Sequence, residues 1–172
     1  MDLLRRFARG EIDAFETLVR QSQGDIYAWI VRIVRDPGIA EDLTVETLWR
    51  IYRARYRFRP DGNFGAWARQ IATNLALDHL RRKRPEQVFV AEFAGVPQAD
   101  HLLQREAREK IQQAFRRLPA KLQVAAMLAL VEGQPYDEIA DALGISVGAV
   151  KLRVFRAVRI LRQQLSRLGV RP

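Results

Sequence analysis

The chain has 172 residues, 48% of them apolar, with 29 Lys and Arg against 20 Asp and Glu, a formal charge of +9 and a pI near 10.7. That apolar share excludes disorder throughout, and the length suits one domain or two small ones. With no cysteine and two histidines, disulfides, thiolate chemistry and cysteine metal sites are excluded, and the positive excess points to an acidic partner, nucleic acid first and an anionic membrane surface second.

No stretch approaches the ~20 apolar residues that span a bilayer, and MDLLRRFARGEIDAF lacks a signal-peptide core. A cytoplasmic protein is expected. A membrane-surface role is disfavoured because the basic residues do not flank one long exposed apolar stripe.

In chain order, Met1 to Arg9 reads as a short helix ended by Gly10. Glu11 to Arg20 places Ile12, Phe15, Leu18 and Val19 on one side, and Ile26 to Val34 continues the period, as one long helix or a broken one. Asp36-Pro37 marks a boundary, a capping residue followed by proline at the first helical position. The next helix runs to about Tyr56 and carries AEDLTVETLWRIY, with Asp42 and Glu46 four apart on one side. Paired carboxylates serve acid-base or metal chemistry, but no third ligand of the right kind is in view, and early acidic residues also suit the helix dipole. A basic protein partner fits this face better than a metal-dependent nuclease site does.

Tyr52 to Asn63, YRARYRFRPDGN, changes character. Arg53, Arg55, Arg57 and Arg59 interleave with Tyr52, Tyr56 and Phe58 before a strong Pro-Asp-Gly-Asn turn signal. Cation plus aromatic is the combination that holds unpaired nucleic acid; the alternative is a basic helix end that packs its aromatics inward. Phe64 to Arg82 is helical, and its stripe Phe64, Trp67, Ile71, Asn74, Asp78 turns polar in the second half. Asn74 and Asp78 either bond to each other inside the fold or rim a pocket for a base edge, and the spacing does not choose. Arg81 to Arg84 then form a basic run at the helix end, suited to phosphate.

Pro85 to Asp100 has two prolines, a glycine and no basic residue, and reads as a linker between residues 1–84 and 101–172, with Phe89 and Phe93 in a segment apolar enough to dock on a partner. His101 to Arg117 resumes as a helix stopped by Leu118-Pro119, and Ala120 to Val131 is an apolar helix ended near Gly133. Tyr136 to Arg159 is the stretch that organises the chain. Ile139, Ala140 and Leu143 stand at helical spacing, Gly144 ends that helix, Ile145 returns to the core, and Ser146 caps the next helix.

On that last helix Val147, Val150, Val154, Val158 and Leu161 form the expected buried stripe. Opposite lie Gly148, Leu152, Phe155, Arg156 and Arg159, flanked by Lys151 and Arg153, and no acidic residue follows Val147. Arginine pairs bidentately with guanine or grips phosphate, and apolar groups touch thymine methyls, so this face suits a DNA major groove. No strand alternation or repeat stands out. The fold class is all-α: two small helical bundles joined by a flexible linker, the second containing a helix-turn-helix.

Three blocks in this order resemble the bacterial sigma factors of the extracytoplasmic-function (ECF) group: FETLVRQSQGDIYAWIVRIVRDPGIAEDLTVETLWRIY, FGAWARQIATNLALDHLRRKR and LPAKLQVAAMLALVEGQPYDEIADALGISVGAVKLRVFRAVRIL. The lengths match a factor with conserved regions 2 and 4 only. The resemblance implies a protein without enzymatic activity or cofactor that joins core RNA polymerase, directs it to promoters and helps open the DNA. It assigns docking on the clamp helices of the largest polymerase subunit to Asp42, Leu43, Glu46 and Trp49, with Val45 and Leu48 replacing the family's usual glutamine and phenylalanine. The flap of the second largest subunit is a further implied contact.

By the same resemblance, Arg57, Arg59, Asp61, Asn63, Asn74, Arg81 and Arg82 hold the minus-10 non-template strand with a base turned out. Ser146, Gly148, Lys151, Leu152, Arg153, Phe155 and Arg156 read the minus-35 duplex, with Ala149 and Leu152 where threonine and serine are usual. Family members are often held inactive by an anti-sigma factor. The rival reading is a homodimeric helix-turn-helix regulator acting without polymerase, which would leave the Tyr52 to Asn63 segment without a purpose.

Overall fold

The computed structural model describes residues 2–82 and 101–169, with the side chains of 101–104 left aside. The expected linker at 85–100 lies outside the described residues. All regular structure among the described residues is helical: α1 (Asp2–Ala8), α2 (Ile12–Val34), α3 (Pro37–Ala54) with a 3-10 turn at Arg55–Arg57, α4 (Phe64–Arg82), α5 (His101–Arg116), α6 (Ala120–Ala126) widening into a π turn at Met127–Val131, α7 (Tyr136–Leu143) and α8 (Val147–Arg167).

Local chemistry sets most of these ends. Gly10, at φ 90°, turns the chain between α1 and α2. Arg6 bonds Glu11 at 2.7 Å and also Asp13, whose carboxyl this hydrogen bond holds below the usual carboxylate range. The α2 stretch is one unbroken helix of 23 residues, about 35 Å long. Asp36 caps α3 by accepting from the Ile39 N–H at 3.1 Å, with Pro37 in the first turn. Asn63 does the same for α4 through Ala66 N–H at 3.0 Å.

The first bundle packs α2, α3 and α4 together, with α1 closing one end. Phe7 is fully buried and sits among Phe15, Phe58, Phe64 and Trp67, each ring centroid within 6.4 Å of its own. Ala68, Ala72 and Ala76, four apart and buried, let neighbouring backbones approach α4 closely. Buried Thr44 and Thr47 satisfy their hydroxyls on the carbonyls of Ala40 and Leu43.

Trp29 and Thr73 form a buried polar pair: the indole N–H donates to Thr73 Oγ1 at 2.9 Å, and that hydroxyl donates to Arg69 O at 2.7 Å. Removing the acceptor with Thr73→Val strands the indole N–H in the core. The urea unfolding midpoint should fall by the equivalent of about 1–3 kcal/mol, the cost of an unsatisfied buried donor. A variant as stable as the parent would show that the pair contributes nothing.

The second bundle has a core of its own, with Ala114, Phe115, Leu118, Ala126, Met127, Ala157 and Leu161 contributed by α5, α6 and α8 and the turns beside them. The two bundles are nevertheless not separate bodies. The main apolar cluster runs from Ile30, Ile51 and Leu77 of the first bundle to Val124, Leu128, Ile139 and Ala142 of the second, and α4 packs against α6 and α7. Sequence periodicity anticipated the two units but carried no sign that they meet.

Candidate nucleic-acid interface

The helix-turn-helix forms as its local signals require. Gly144, at φ 63°, takes the left-handed position after α7, and Ile145 N–H returns to Ala140 O at 3.0 Å. Ser146 Oγ then accepts from Ala149 N–H at 3.2 Å and starts α8. Along α8, Val150, Val154, Ala157 and Leu161 are buried. Val158 is half-buried, and Val147 is 38% exposed, because nothing packs over the first position of the helix.

The outer face is open. Ser146, Gly148, Lys151, Leu152, Phe155, Arg156 and Arg159 are all exposed, and Arg153 is half-buried at the edge. Phe155 is 65% and Leu152 47% exposed, an uncommon state for large apolar side chains beside three cations. Within hydrogen-bonding reach of such a face, a duplex would find bidentate donors and methyl-reading surface on one helix.

The second exposed basic face lies at the end of α3 and along α4. Arg57, Arg59, Asp61, Asn63, Asn74, Arg81 and Arg82 all reach solvent. Arg59 pairs with Asp61 at 3.2 Å and Arg81 with Asp78 at 3.4 Å. The two readings of Asn74 and Asp78 are thereby decided against an internal bond: Asn74 is exposed, and Asp78 takes Arg81 as its partner. Ala72, Thr73, Leu75, Ala76, Leu77 and Leu80 are what α4 buries instead.

The aromatics of the interleaved stretch divide. Phe58 is buried, 5.0 Å from Trp67 ring to ring, and Tyr52 packs on Phe15 at 4.9 Å. Tyr56 is 70% exposed with the Arg57 guanidinium 5.7 Å from its ring. Arg55 turns back, donating to Tyr52 O at 2.8 Å and lying over the Tyr52 ring at 4.4 Å. Phe58 and Tyr52 thus pack inward, while Tyr56 is the ring of this stretch that stays on the surface.

A third surface lies on α2 and α3. Of the four residues assigned to polymerase docking, Asp42 and Trp49 are exposed and Glu46 pairs with Arg50 at 2.8 Å. Leu43 is half-buried and packs on the core, so it supports this face from beneath. Sequence reasoning missed the larger feature. Ile12, Phe15 and Val19 of α2 meet Leu48, Trp49 and Tyr52 of α3 along an open apolar groove. Val45, 69% exposed and one turn before Trp49, extends it. The exposure of Ile12 was not legible in the sequence, where it falls on the apolar side of α2 with Phe15, Leu18 and Val19; the structure leaves it 62% exposed. Among the described residues no group of three or more His, Asp or Glu stands where a metal ion is held, and no helix is long and apolar enough to cross a membrane.

The family described as Sigma-70 region 2 matches residues 18–86, and that described as Sigma-70, region 4 matches residues 108–161. The RNA polymerase sigma-H factor of Pseudomonas aeruginosa is 34% identical over 96% of this chain and 93% of its own length. SigW of Bacillus subtilis, named as an ECF RNA polymerase sigma factor, is 31% identical over 94% of each chain. The chain belongs to the ECF sigma factors. Among solved structures, CnrH in complex with the cytosolic domain of CnrY shares the fold at a TM-score of 0.61 and 23% identity, over 95% of both chains. RpoE of Bartonella quintana, solved with the anti-sigma factor NepR, does so at 0.54 and 24% identity, over 88% of this chain and 96% of that one.

Proposed function

We propose that this chain is a transcription initiation factor that binds core RNA polymerase and carries it to specific promoters, without catalysing a reaction itself. Residues 1–84 serve as the polymerase-binding and minus-10 unit. Residues 101–172 serve as the minus-35 unit. The open outer face of α8, where Leu152, Phe155 and Arg156 stand exposed together above a buried valine stripe, is the observation that carries this reading.

In this reading Ser146, Gly148, Lys151, Leu152, Arg153, Phe155 and Arg156 address the minus-35 duplex, and Leu152 supplies a methyl-reading contact. Arg57, Arg59, Asp61, Asn63, Asn74, Arg81 and Arg82 hold the opened minus-10 strand, where phosphate contacts position it and Tyr56 adds a stacking surface. Asn63 reaches the strand from the start of α4, which its side chain also caps. The groove around Trp49, with Asp42, Glu46 and Leu43, docks on the clamp helices of the largest polymerase subunit, and the second bundle meets the flap of the second largest. An anti-sigma factor is the regulatory partner that family membership implies. A homodimeric regulator is disfavoured, because it leaves the basic and aromatic segment from Tyr52 to Asn63 without a purpose.

The test is reconstitution. Core polymerase, a promoter library and this chain should yield transcripts from a sequence-defined subset of promoters, and core polymerase alone should not. Failure of the chain to associate with core polymerase would overturn the reading.

A further inference from the structure

The outer edge of α3 carries an ordered stripe. At about 100° per residue, Asp42, Val45, Trp49 and Arg53 fall within about 80° of one another, and all four are exposed. Along the stripe the charge changes sign. Glu41, Asp42 and Glu46 stand in its first half and Arg50 and Arg53 in its second, with Val45 and Trp49 as the apolar middle. Glu46 and Arg50 already pair within the helix at 2.8 Å. Asp42 and Arg53 have no ion pair among the described residues, and the Arg53 guanidinium lies 5.9 Å from the Trp49 ring. Beside the stripe, the groove against α2 is open to solvent. A stripe in this order is complementary to itself when reversed. Two copies of α3 packed antiparallel about a two-fold axis between Thr47 and Leu48 bring Asp42 against Arg53 of the second copy, Val45 against its Trp49 and Glu46 against its Arg50, each contact occurring twice. The two α3 dipoles then oppose as well.

We propose that the sigma factor without polymerase self-associates through this stripe as a weak two-fold dimer, its α3 helices antiparallel, and that the dimer covers the groove assigned above to polymerase. Size sets the strength. An 18-residue helix is about 27 Å long, and with α2 beside it the face is about 20 Å wide, on the order of 500 Å² in outline. A standard specific interface takes about 800 Å² from each partner, so this one belongs to the weak, reversible class, with a Kd on the order of tens of micromolar. Burial of Val45 and Trp49 supplies the affinity. The charged ends fix direction, since a parallel pair would set Asp42 against Asp42 and Arg53 against Arg53. Glu46 and Arg50 only exchange partners between copies, so Asp42 and Arg53 are the pair that discriminates. Such a dimer is a store and not a form that reads DNA: it keeps an apolar docking face from water until a tighter partner displaces the second copy.

Only the consequence for polymerase rests on the functional reading; the dimer is tested on the full chain alone. Each copy carries a charge of +9, so sedimentation is measured at about 0.15 M salt, where repulsion beyond roughly 8 Å is screened. Between about 5 and 500 µM the 19.8 kDa chain should pass from monomer to dimer. Val45→Lys should abolish the dimer in this range. Asp42→Arg and Arg53→Glu should each weaken it about tenfold, because each sets like charges together twice. An equimolar mixture of those two variants should regain the parent's affinity as a heterodimer, since both of its charge pairs are then opposite in sign. Circular dichroism of each variant should match the parent, as all three positions are exposed. A parent that stays monomeric at about 500 µM, a dimer indifferent to Val45→Lys, or a mixture that fails to recover would each overturn the proposal. Core polymerase added last should dissociate the dimer. A dimer that obeys the charge exchange yet survives saturating polymerase would stand, and the groove would lose its assignment to polymerase.

Discussion

Arg156→Glu should cut transcription from promoters that need a minus-35 element by about a hundredfold. Loss of one bidentate base contact costs about 1–3 kcal/mol, and the introduced carboxylate adds repulsion from the phosphates. Arg156 is exposed midway along α8, so stability should stay within about 0.5 kcal/mol of the parent. Asn74→Ala, exposed on the other bundle, is the contrast. It should leave minus-35 binding intact and slow strand opening while blurring minus-10 preference. The measurement is open-complex formation on promoter variants mutated in one element at a time. Equal losses from both changes at every step would sink the division of labour between the two faces.

Trp49→Ala should weaken association with core polymerase by about a hundredfold, since a tryptophan in an apolar groove is the kind of residue that dominates an interface. Trp49 is 53% exposed in the free chain, and its removal costs little folding energy. The loss should persist at raised ionic strength, because the groove lined by Ile12, Phe15, Val19, Leu48 and Tyr52 works by burial and not by charge. Titrating labelled chain with core polymerase at two salt concentrations measures both points. An affinity within threefold of the parent would move the docking surface elsewhere.

Much of the fold is written in short-range signals. Asp36-Pro37, Gly144 and Ser146 each act on backbone groups within four residues, so the caps they announce are where the sequence places them. The wheel of α8 separates its inner valines from its outer arginines for the same reason, since a helix with a charged face has one way to bury the other. The same reasoning misjudges positions at the margins. Val147 belongs to the apolar stripe by angle, yet no neighbouring element reaches the first turn to cover it. Phe58 and Tyr56 are indistinguishable by composition, and the turn after α3 sends one into the aromatic cluster around Phe7 and the other to solvent.

The second bundle has a smaller core of its own around Phe115 and Leu161, while the cluster around Phe7 continues into Val124, Leu128 and Ile139 of the second, so the two bundles share part of one apolar interior.

By itself the sequence determined the all-helical class, the helix ends marked by Asp36-Pro37, Gly144 and Ser146, the two basic faces and the family, because each depends on residues close together along the chain. Tertiary structure alone decided that Ile12 meets Trp49 across a groove, that Asn74 faces outward, and that Arg35 reaches Glu132, 97 positions further on. Those outcomes depend on which faces meet when helices pack, and a contact between distant segments leaves no periodic trace in either of them.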